Sequence, residues 1–469
     1  MRHAALLCAV VATFVAICQA NLVYVRGNIG RTGTVDGDPG RSSRTLFNSG
    51  TAVFDSYRWN PKLDGYSFIT NGVNKFRYPN VVMVKDVNTK ADRFFTSAGA
   101  KLIEVSDALA TAKTLVITPD RINNVFLVND RVFVVGDYAK WKYGLVTLNG
   151  IFEYTYASEK PDIIAVQGVD DLDTAAGIQA MAMSTGSDFI FYAGIFSVKG
   201  VRASCAAYST VYSTWKVFAA TDSADPPSSS SLVYLYPNTL VWTGRFSFVP
   251  FSRGQSERIY NLAFINFADI SDAAIYSAVL GDSFGNTPPN INLTIRATIK
   301  GGDDGEVIVA GGFATINGFP VNNIARISGL WAGGQDLKIF PIGSGFDNEV
   351  SSLFVNRYPE DGSLQLYAGG KFRRAGGAFA NRIAMWDGKK WSPLGGGFDD
   401  DFDVTGSSDS TITDKEVWSI VATKDIIVKP TPLFSATPSI KSAAFSNSLS
   451  TRLVTLVMLA LALFVCLMQ

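Results

Sequence analysis

The chain has 469 residues, long enough for one large or several ordinary domains, and its 41 Lys and Arg balance 41 Asp and Glu. Hydrophobic residues make up 47% of the sequence, which is typical of a globular protein, and the balanced charge offers no basic surface of the kind that nucleic-acid binding requires. The single histidine, His3, lies in the amino-terminal segment, so a mature chain without that segment excludes histidine-dependent catalysis, histidine-ligated metals and histidine pH switches.

The amino-terminal segment Met1–Ala20 has the form of a secretory signal peptide. Met1–His3 is a short basic start and Ala4–Ile17 is apolar. Cys18 and Ala20 then place small residues at the two positions that signal peptidase reads. We expect cleavage after Ala20 and an ectodomain over residues 21–425.

The C-terminal end predicts a glycosylphosphatidylinositol (GPI) anchor. Residues 426–442 are rich in Pro, Ser and Thr, which predicts a stalk. Ser442 and two alanines form a run of small residues, and the spacer Phe445–Arg452 leads to the apolar segment Leu453–Gln469. This order is that of a GPI-attachment signal, so we predict lipid attachment at Ser442 and removal of residues 443–469. The alternative is a short single-pass transmembrane anchor.

Two residues between these ends carry predictions of their own. Asn292-Leu293-Thr294 is a glycosylation sequon in a turn-rich stretch, so a secreted chain is expected to be glycosylated at Asn292. Cys205 is the one cysteine between the two terminal segments, which excludes an internal disulfide. Its apolar neighbours predict a small buried core residue rather than a reactive thiol.

The body of the chain repeats a strand that ends in glycine, usually Gly-x-Phe. The clearest two copies start at Ala310 and Ala368, and each continues through an Asn-x-Ile segment and a glycine turn into another apolar strand. Weaker copies lie upstream, including one with Gly136 and Tyr138. The spacing leaves a gap that a further copy near Gly72 would fill, which brings the predicted total to about seven units. The shared motif positions are Gly194, Phe196, Gly244, Phe246, Gly311, Phe313, Ile324, Gly370, Phe372, Ile383, Trp386 and Trp391.

The spacing of these glycines, filled by strands and turns, favours a four-stranded propeller blade as the repeating unit. We therefore predict an all-β fold, a single β-propeller of about seven four-stranded blades, with six to eight possible. Runs such as residues 132–135 are interpreted as innermost strands, with glycines where a side chain would collide near the axis. The strand near Val23 is expected to complete the last blade beside Val417–Val421. No long helix is predicted, since the best candidate, Val169–Met183, contains Gly177.

Residues 367–398 read YAGGKFRRAGGAFANRIAMWDGKKWSPLGGGF. This phrase resembles the kelch-like repeats of the fungal cortical polarity marker family, in which Gly-Gly-x-Phe is followed by Asn-x-Ile-Ala, an aromatic residue, Trp and Leu-Gly-x-Gly. Residues 310–355 match well and residues 132–265 match only at the strand and Gly-x-Phe. The resemblance implies a propeller ectodomain on the secretory route that marks or organises a site on the cell surface. It carries no active site, because the matching positions are structural.

Three constellations could carry chemistry. Acidic clusters occur at Asp170-Asp171 with Asp173, at Asp303-Asp304 with Glu306, and at Asp399–Asp401 with Asp403. Adjacent carboxylates on one loop set no defined separation, so we interpret them as solvated turns, with weak calcium binding as the alternative. Trp386–Trp391 is interpreted as a tight Asp-Gly hairpin rather than a sialidase Asp-box. Galactose-oxidase-like copper chemistry is excluded because it needs histidine.

The sequence thus predicts a GPI-anchored propeller on the outer leaflet of the plasma membrane, a glycoprotein without cofactor or enzymatic activity. Its expected role is recognition, adhesion or surface organisation, similar to a polarity marker, through an extracellular protein or glycan ligand. The alternative is a glycan hydrolase that uses Asp and Glu alone. The tryptophans that could stack on sugars or serve blade packing are Trp59, Trp141, Trp215, Trp242 and Trp331.

Overall fold

The structure is a computed structural model that describes only part of the chain. The described residues all belong to one compact unit, Cys18–Ile426, and a second unit, Met1–Ile17 with Ile427–Gln469, lies outside them. The predicted signal peptide, stalk and anchor therefore stay predictions. The described residues are 23–27, 51–54, 59–61, 82–85, 92–105, 112–138, 140–156, 162–175, 177–220, 228–248, 258–269, 272–276, 280–281, 293–301, 305–330, 337–357, 364–398 and 417–422.

Three short strands come first along the described chain, followed by the strands of two complete blades. These strands are β1 (Val23–Gly27), β2 (Thr51–Phe54), β3 (Trp59–Pro61), β4 (Val82–Lys85), β5 (Asp92–Ala98), β6 (Lys101–Val105), β7 (Ala112–Ile117), β8 (Ile122–Val128), β9 (Arg131–Gly136), β10 (Trp141–Tyr143), β11 (Val146–Leu148), β12 (Ile151–Thr155) and β13 (Asp162–Ala165). Strands β4–β7 form blade 1, and β8, β9, β12 and β13 form blade 2, with β10–β11 as a separate hairpin between its second and third strands.

Blades 3 and 4 follow in the same order along the chain. Their strands are β14 (Leu172–Thr174), β15 (Ile178–Met183), β16 (Phe189–Val198), β17 (Val201–Ser209), β18 (Thr214–Ala220), β19 (Ser228–Leu235), β20 (Thr239–Phe248), β21 (Ile259–Asp269) and β22 (Asp272–Tyr276). In blade 3, both β14 and β15 pair with β16, and β17 and β18 complete the sheet. Blade 4 consists of β19–β22.

Blades 5 and 6 contain the two clearest repeats. The remaining strands are β23 (Leu280–Gly281), β24 (Thr294–Lys300), β25 (Val307–Gly312), β26 (Thr315–Ile316), β27 (Phe319–Pro320), β28 (Ile324–Ser328), β29 (Lys338–Pro341), β30 (Val350–Arg357), β31 (Leu364–Gly370), β32 (Arg374–Ala375), β33 (Ala378–Phe379), β34 (Ile383–Trp386), β35 (Trp391–Pro393) and β36 (Val417–Ala422). Blade 5 is β24, β25, β28 and β29, and blade 6 is β30, β31, β34 and β35. Each inserts a small hairpin, β26–β27 or β32–β33, between its second and third strands.

The prediction of an all-β propeller is confirmed. Six blades are each built from one continuous stretch of the described chain, which lies within the predicted range but does not support the central prediction of seven. The weak upstream repeats could not fix this number, because strand-and-glycine matches alone do not show which strands share a sheet.

One further four-stranded sheet joins distant parts of the chain. Its order is β3-β2-β1-β36, and Tyr24 lies opposite Val421 in the antiparallel pairing of β1 with β36. The predicted pairing of the strand near Val23 with Val417–Val421 is therefore confirmed.

The innermost strands are the first strands of the blades rather than the glycine-ending runs. Strands β4, β8, β15, β19, β24 and β30 contact one another in succession, and β30 also contacts β36. Residues 132–135 lie in β9, the second strand of blade 2, so the prediction that they are innermost is wrong. A second strand is paired on both edges and buried on both faces, so its sequence is as uniformly apolar as that expected at the axis.

The core consists of clusters packed between neighbouring blades. Phe133 and Val135 of blade 2 pack with Tyr192 and Phe196 of blade 3, for example. Blades 5 and 6 share a second such cluster. Burial between blades, rather than within one, makes each sheet dependent on its neighbours for stability.

Within the described residues, helix is confined to a short 3-10 segment, Val169–Asp171. The rest of the Val169–Met183 segment contains β14 and β15, which agrees with the prediction of no long helix. None of the helical structure in the described ranges is long and apolar enough to cross a membrane.

Candidate functional site

The motif glycines lie where the preceding strand leaves no room for a side chain. A Cβ atom built at Gly194, Gly311 or Gly370 would lie 2.1, 2.0 or 2.3 Å, respectively, from a backbone carbonyl oxygen. In each case that oxygen belongs to the first residue of the paired innermost strand or to the residue just before it. The strand register shifts at each place, and Gly244 pairs with Ser229 beside a similar irregularity. The sequence predicted that a side chain at these glycines would collide near the propeller axis. The structure shows instead that it would collide with the backbone of the paired innermost strand.

The phenylalanines of the motif fill the core. Phe196, Phe246, Phe313 and Phe372 are all buried. The ring of Phe246 stacks on that of Trp242 with centroids 3.8 Å apart. Ile324 and Ile383, at equivalent positions of the two clear repeats, are also buried.

The Asn-x-Ile segment forms a tight turn in both clear repeats. Asn322 and Asn381 have φ of 46° and 43°, in the left-handed region that asparagine tolerates better than most residues. Their side-chain amides donate to the carbonyl oxygens of Ser344 and Gly396, at 3.1 and 2.9 Å. Each asparagine therefore ties its turn to the glycine turn that follows the outermost strand.

The next residue differs between the repeats but satisfies an equivalent carbonyl. Asn323 donates through Nδ2 to the Phe346 oxygen at 2.9 Å, and Arg382 donates through Nη1 to the Phe398 oxygen at 2.7 Å. Sequence reasoning missed all four turn residues as structural positions. The signal was an asparagine repeated at the same offset as the glycines of the two clear repeats.

Trp386–Trp391 is a hairpin, as interpreted from the sequence. Trp386 pairs with Trp391, and Asp387 Oδ1 accepts hydrogen bonds from the amides of Lys389 and Lys390 at 2.9 and 2.8 Å. Partial desolvation by itself would raise the pKa of Asp387, but the hydrogen bonds from these amides lower this pKa overall. Trp391 also donates through Nε1 to the Ile342 oxygen at 2.9 Å, which connects blade 6 to the end of blade 5.

A cleft of about 710 Å³ opens between the loops of blades 5 and 6. Antiparallel strands alternate in direction, so the second-to-third-strand insertions and the links between blades emerge at the same end. Both kinds of connection line the cleft. Its polar lining comes from Asn322, Asn323, Ser344, Asp347, Asn348, Glu349 and Arg374.

Both carboxylates in the cleft already have partners. Asp347 Oδ1 accepts from the amides of Arg373 and Arg374, each at 2.9 Å. Glu349 forms an ion pair with Arg296 of blade 5 through one oxygen and lies 3.6 Å from Lys371 Nζ through the other. Asp347 thus fixes the loop, and Glu349 bridges two blades.

The described members of the acidic clusters are not among the residues that line this cleft. Glu306 is buried and its carboxylate lies 3.6 Å from Arg326 Nη1. Asp171 pairs with Lys199 at 3.1 Å, and Asp173 accepts from the Gly200 amide at 2.7 Å. The ranges that the structure describes contain no group of three His, Cys, Asp or Glu side chains placed to hold a metal ion.

Several other predicted positions fall outside the described residues. Asn292 is one of them, although Thr294 of its sequon begins β24. The others are Gly72, Ser442, Trp331, the pair Asp303 and Asp304, and the run Asp399–Asp401 with Asp403.

The tryptophans with described side chains serve packing rather than an open surface. Trp242 is fully buried. Trp141 and Trp215 are half-buried and pack on tyrosines, at ring distances of 5.7 Å from Tyr138 and 5.3 Å from Tyr192. Trp59 lies in β3, and its side chain is not described.

Cys205 is completely buried in β17, which agrees with the interpretation of an inert core cysteine. Burial raises the pKa of its thiol far above the ordinary value. The thiol therefore stays protonated in the folded protein.

We predict no reaction of Cys205 with Ellman's reagent in the native protein at mildly alkaline pH, and full reaction in denaturant. Because the folded thiol keeps its proton, stability should fall as the pH rises above about 8.5, where the unfolded thiol ionises. Rapid native labelling at this position would contradict the burial.

The order of strands and the succession of sheets define this chain as a β-propeller. No protein-family model matches its sequence, and no curated protein matches it. The resemblance to cortical polarity markers therefore stays a prediction.

Several solved structures are similar to this chain at low sequence identity. Hydrazine synthase of Kuenenia stuttgartiensis is 13% identical, with a TM-score of 0.38 over 69% of this chain and 80% of that chain. PorZ, a bacterial surface component of the type-IX secretion system of Porphyromonas gingivalis, is 14% identical, with a TM-score of 0.40 over 76% of this chain and 46% of its own. The extracellular domain of a hybrid two-component system from B. thetaiotaomicron is 10% identical, with a TM-score of 0.39 over 72% and 38%. Such similarity carries no argument about function.

Proposed function

We propose that this chain is a cell-surface recognition module that binds a ligand without transforming it, and that the cleft between blades 5 and 6 is its binding site. In this proposal a GPI anchor at Ser442 holds the propeller on the outer leaflet. The role is adhesion or organisation of a surface site, as in a polarity marker, and the partner is an extracellular glycan or protein.

The observation that supports recognition over hydrolysis is the engagement of both cleft carboxylates. A glycosidase needs one carboxylic acid to protonate the leaving group and a second carboxylate to attack the sugar or activate water. Asp347 is held by two backbone amides, and both oxygens of Glu349 lie beside cations. The amide, hydroxyl and guanidinium groups around them suit hydrogen bonding to a polar ligand such as a sugar.

A bulky residue at position 344 is expected to block this cleft. Ser344 is exposed, and only its backbone oxygen is needed by Asn322, so Ser344→Trp should leave the fold intact. We expect it to weaken binding to an immobilised panel of neutral oligosaccharides by about tenfold or more, measured by biolayer interferometry. The matched control is Lys389→Trp, an exposed hairpin position on the opposite side of blade 6.

The same oligosaccharides distinguish the hydrolase alternative. New reducing ends that appear with the wild-type protein and disappear with Glu349→Gln would establish hydrolysis and overturn the recognition proposal. Equal loss of binding in both tryptophan variants would remove the cleft as the site. Display is tested separately, by phospholipase C treatment of intact cells carrying a tag after Ala20, where release into the medium supports the GPI anchor.

A further inference from the structure

One cation in the cleft between blades 5 and 6 has no acidic partner among the described residues. Arg374 lines the cleft, and the ion pairs of the described ranges do not include it. Its backbone amide, rather than its guanidinium, donates to Asp347. The positive charge of this guanidinium is therefore not neutralised by any carboxylate that the structure describes.

Neutral groups hold the guanidinium of Arg374 in place. In the hairpin β32–β33, Arg374 pairs with Phe379, and its Cζ lies 3.8 Å from the centroid of that ring. Its Nη1 donates to the Gly377 oxygen at 2.9 Å. An arginine side chain has five N–H donors in a planar fork, so these contacts orient the group and leave donors for a ligand. A side chain that is oriented before binding loses little entropy when the ligand arrives.

The hairpin that carries Arg374 is itself fixed to the loop that enters blade 6. The Gly376 amide donates to the Gly345 oxygen at 2.8 Å. Phe346 of the same loop forms an isolated antiparallel bridge with Ala375. The position of the guanidinium relative to the rest of the cleft lining is thus set by backbone contacts.

The charges around the cleft favour an anionic ligand. Glu349 is shared by two cations, Arg296 and Lys371. Those two cations and Arg374 supply three positive charges, against two negative charges from Glu349 and Asp347, so one positive charge remains. A single carboxylate balances this charge and matches the planar fork of a guanidinium.

Asp347 indicates that the same ligand carries hydroxyl groups. Its Oδ1 accepts from two backbone amides, whereas its Oδ2 accepts no hydrogen bond from the described residues. An open carboxylate oxygen suits a hydroxyl donor and repels a second carboxylate. Ser344 and Asn348, both exposed, add a hydroxyl and an amide to the lining. One carboxylate among several hydroxyls fits this lining, whereas the closely spaced carboxylates of an acidic peptide do not.

We propose that the cleft binds acidic oligosaccharides built from uronic acids, with Arg374 contacting the sugar carboxylate and Asp347 a neighbouring hydroxyl. Uronic-acid binding rests on the proposed function, because it assigns a ligand class to the same cleft. A uronic acid carries a carboxylate and hydroxyls on one ring, as the lining requires. The cleft volume of about 710 Å³ lies within the range of ligand pockets, about 300–1,000 Å³.

The test compares ligands that differ only at their carboxyl groups. Trisaccharides of galacturonic acid and of glucuronic acid, and the methyl esters of both, are labelled with a neutral fluorophore. Each is titrated with the full chain at neutral pH, and fluorescence anisotropy gives the Kd. We expect the better of the two acids to bind about tenfold more tightly than its ester, and raised salt to lower this ratio.

Two arginine variants locate the group that reads the carboxylate. Arg374→Gln removes the guanidinium and should bring the ratio of acid to ester affinity to about one. The matched control is Arg373→Gln, which makes the same change in net charge at an exposed neighbour that does not line the cleft, and should keep the ratio. Both variants keep the backbone amides that hold Asp347.

The outcomes separate acidic-sugar binding from the recognition function on which it rests. Equal binding of acid and ester by the wild type, or a preference that survives Arg374→Gln, overturns the uronic-acid proposal alone, provided that Ser344→Trp still blocks binding. Binding of neutral oligosaccharides without binding of either acid has the same meaning. No binding of any saccharide overturns both the uronic-acid proposal and glycan recognition. Displacement of the acid by an equal concentration of oligoglutamate also overturns the uronic-acid proposal, because the cleft would then select charge rather than a sugar.

Discussion

Gly311→Ala is expected to destabilise the propeller by about 3 kcal/mol or more, because the new methyl group meets backbone that cannot rotate away. Its Cβ would lie 2.0 Å from the Thr294 oxygen and 2.8 Å from the Ile295 Cα in the paired innermost strand. Relief requires separating β24 from β25, which breaks ladder hydrogen bonds and the packing between blades 4 and 5. The measurement is the urea midpoint followed by far-UV circular dichroism.

The adjacent glycine provides the control. A Cβ at Gly312 finds its nearest neighbour, the flexible Glu349 side chain, at 3.8 Å, and needs no left-handed backbone. Gly312→Ala should therefore change stability by no more than about 0.5 kcal/mol, since a strand alanine costs less conformational entropy than glycine. Similar losses in the two variants would show that the collision with β24 is not what requires glycine.

Trp391→Ala is expected to cost about 3–5 kcal/mol, the range for removal of a large buried side chain. The indole packs on Phe346 and Trp386, with centroids 4.6 and 5.4 Å away, and its Nε1 satisfies the buried Ile342 oxygen. The variant therefore loses the packing of the indole ring and the hydrogen bond that joins blades 5 and 6. Chemical denaturation measures the total loss.

Two milder variants separate these contributions. Trp391→Phe keeps most of the packing but leaves the Ile342 oxygen without its donor, which should cost about 1–3 kcal/mol. Trp386→Phe, at the half-buried partner ring, should cost less. If Trp391→Phe were as stable as the wild type, the bond between blades would have no net effect.

The strand-and-glycine pattern was sufficient to predict the propeller because its cause is local. Gly194, Gly311 and Gly370 each avoid the same backbone collision, so the glycine recurs whenever a blade repeats. The order of strands inside a blade could not be predicted in the same way. Residues 132–135 are apolar because both faces and both edges of β9 are covered, and that condition holds for a second strand as well as for an innermost one.

The cleft could not be predicted because its residues are brought together by pairing rather than by spacing. Asp347 and Arg374 meet through the packing of one inter-blade loop on the next blade's insertion. Asn322 and Asn323 followed a visible repeat, but their role depends on left-handed backbone and on carbonyls that belong to a later turn of the chain. Acidic runs were more conspicuous in the sequence, yet Asp171 and Glu306 of those runs pair with nearby cations away from the cleft.

The pairing of β1 with β36 has a consequence for the order of folding. Each of the six blades can form from contiguous chain as it is synthesised, but Tyr24 and Val421 come from the first and last described strands. Their sheet must wait for nearly the whole chain to be made, and the entropy of closing so long a loop stays moderate only because folded blades already shorten the gap. Until β36 arrives, one edge of β1 and the side of β30 that contacts β36 have no partner. The interval before closure is therefore when this protein is most exposed to aggregation and most dependent on chaperones.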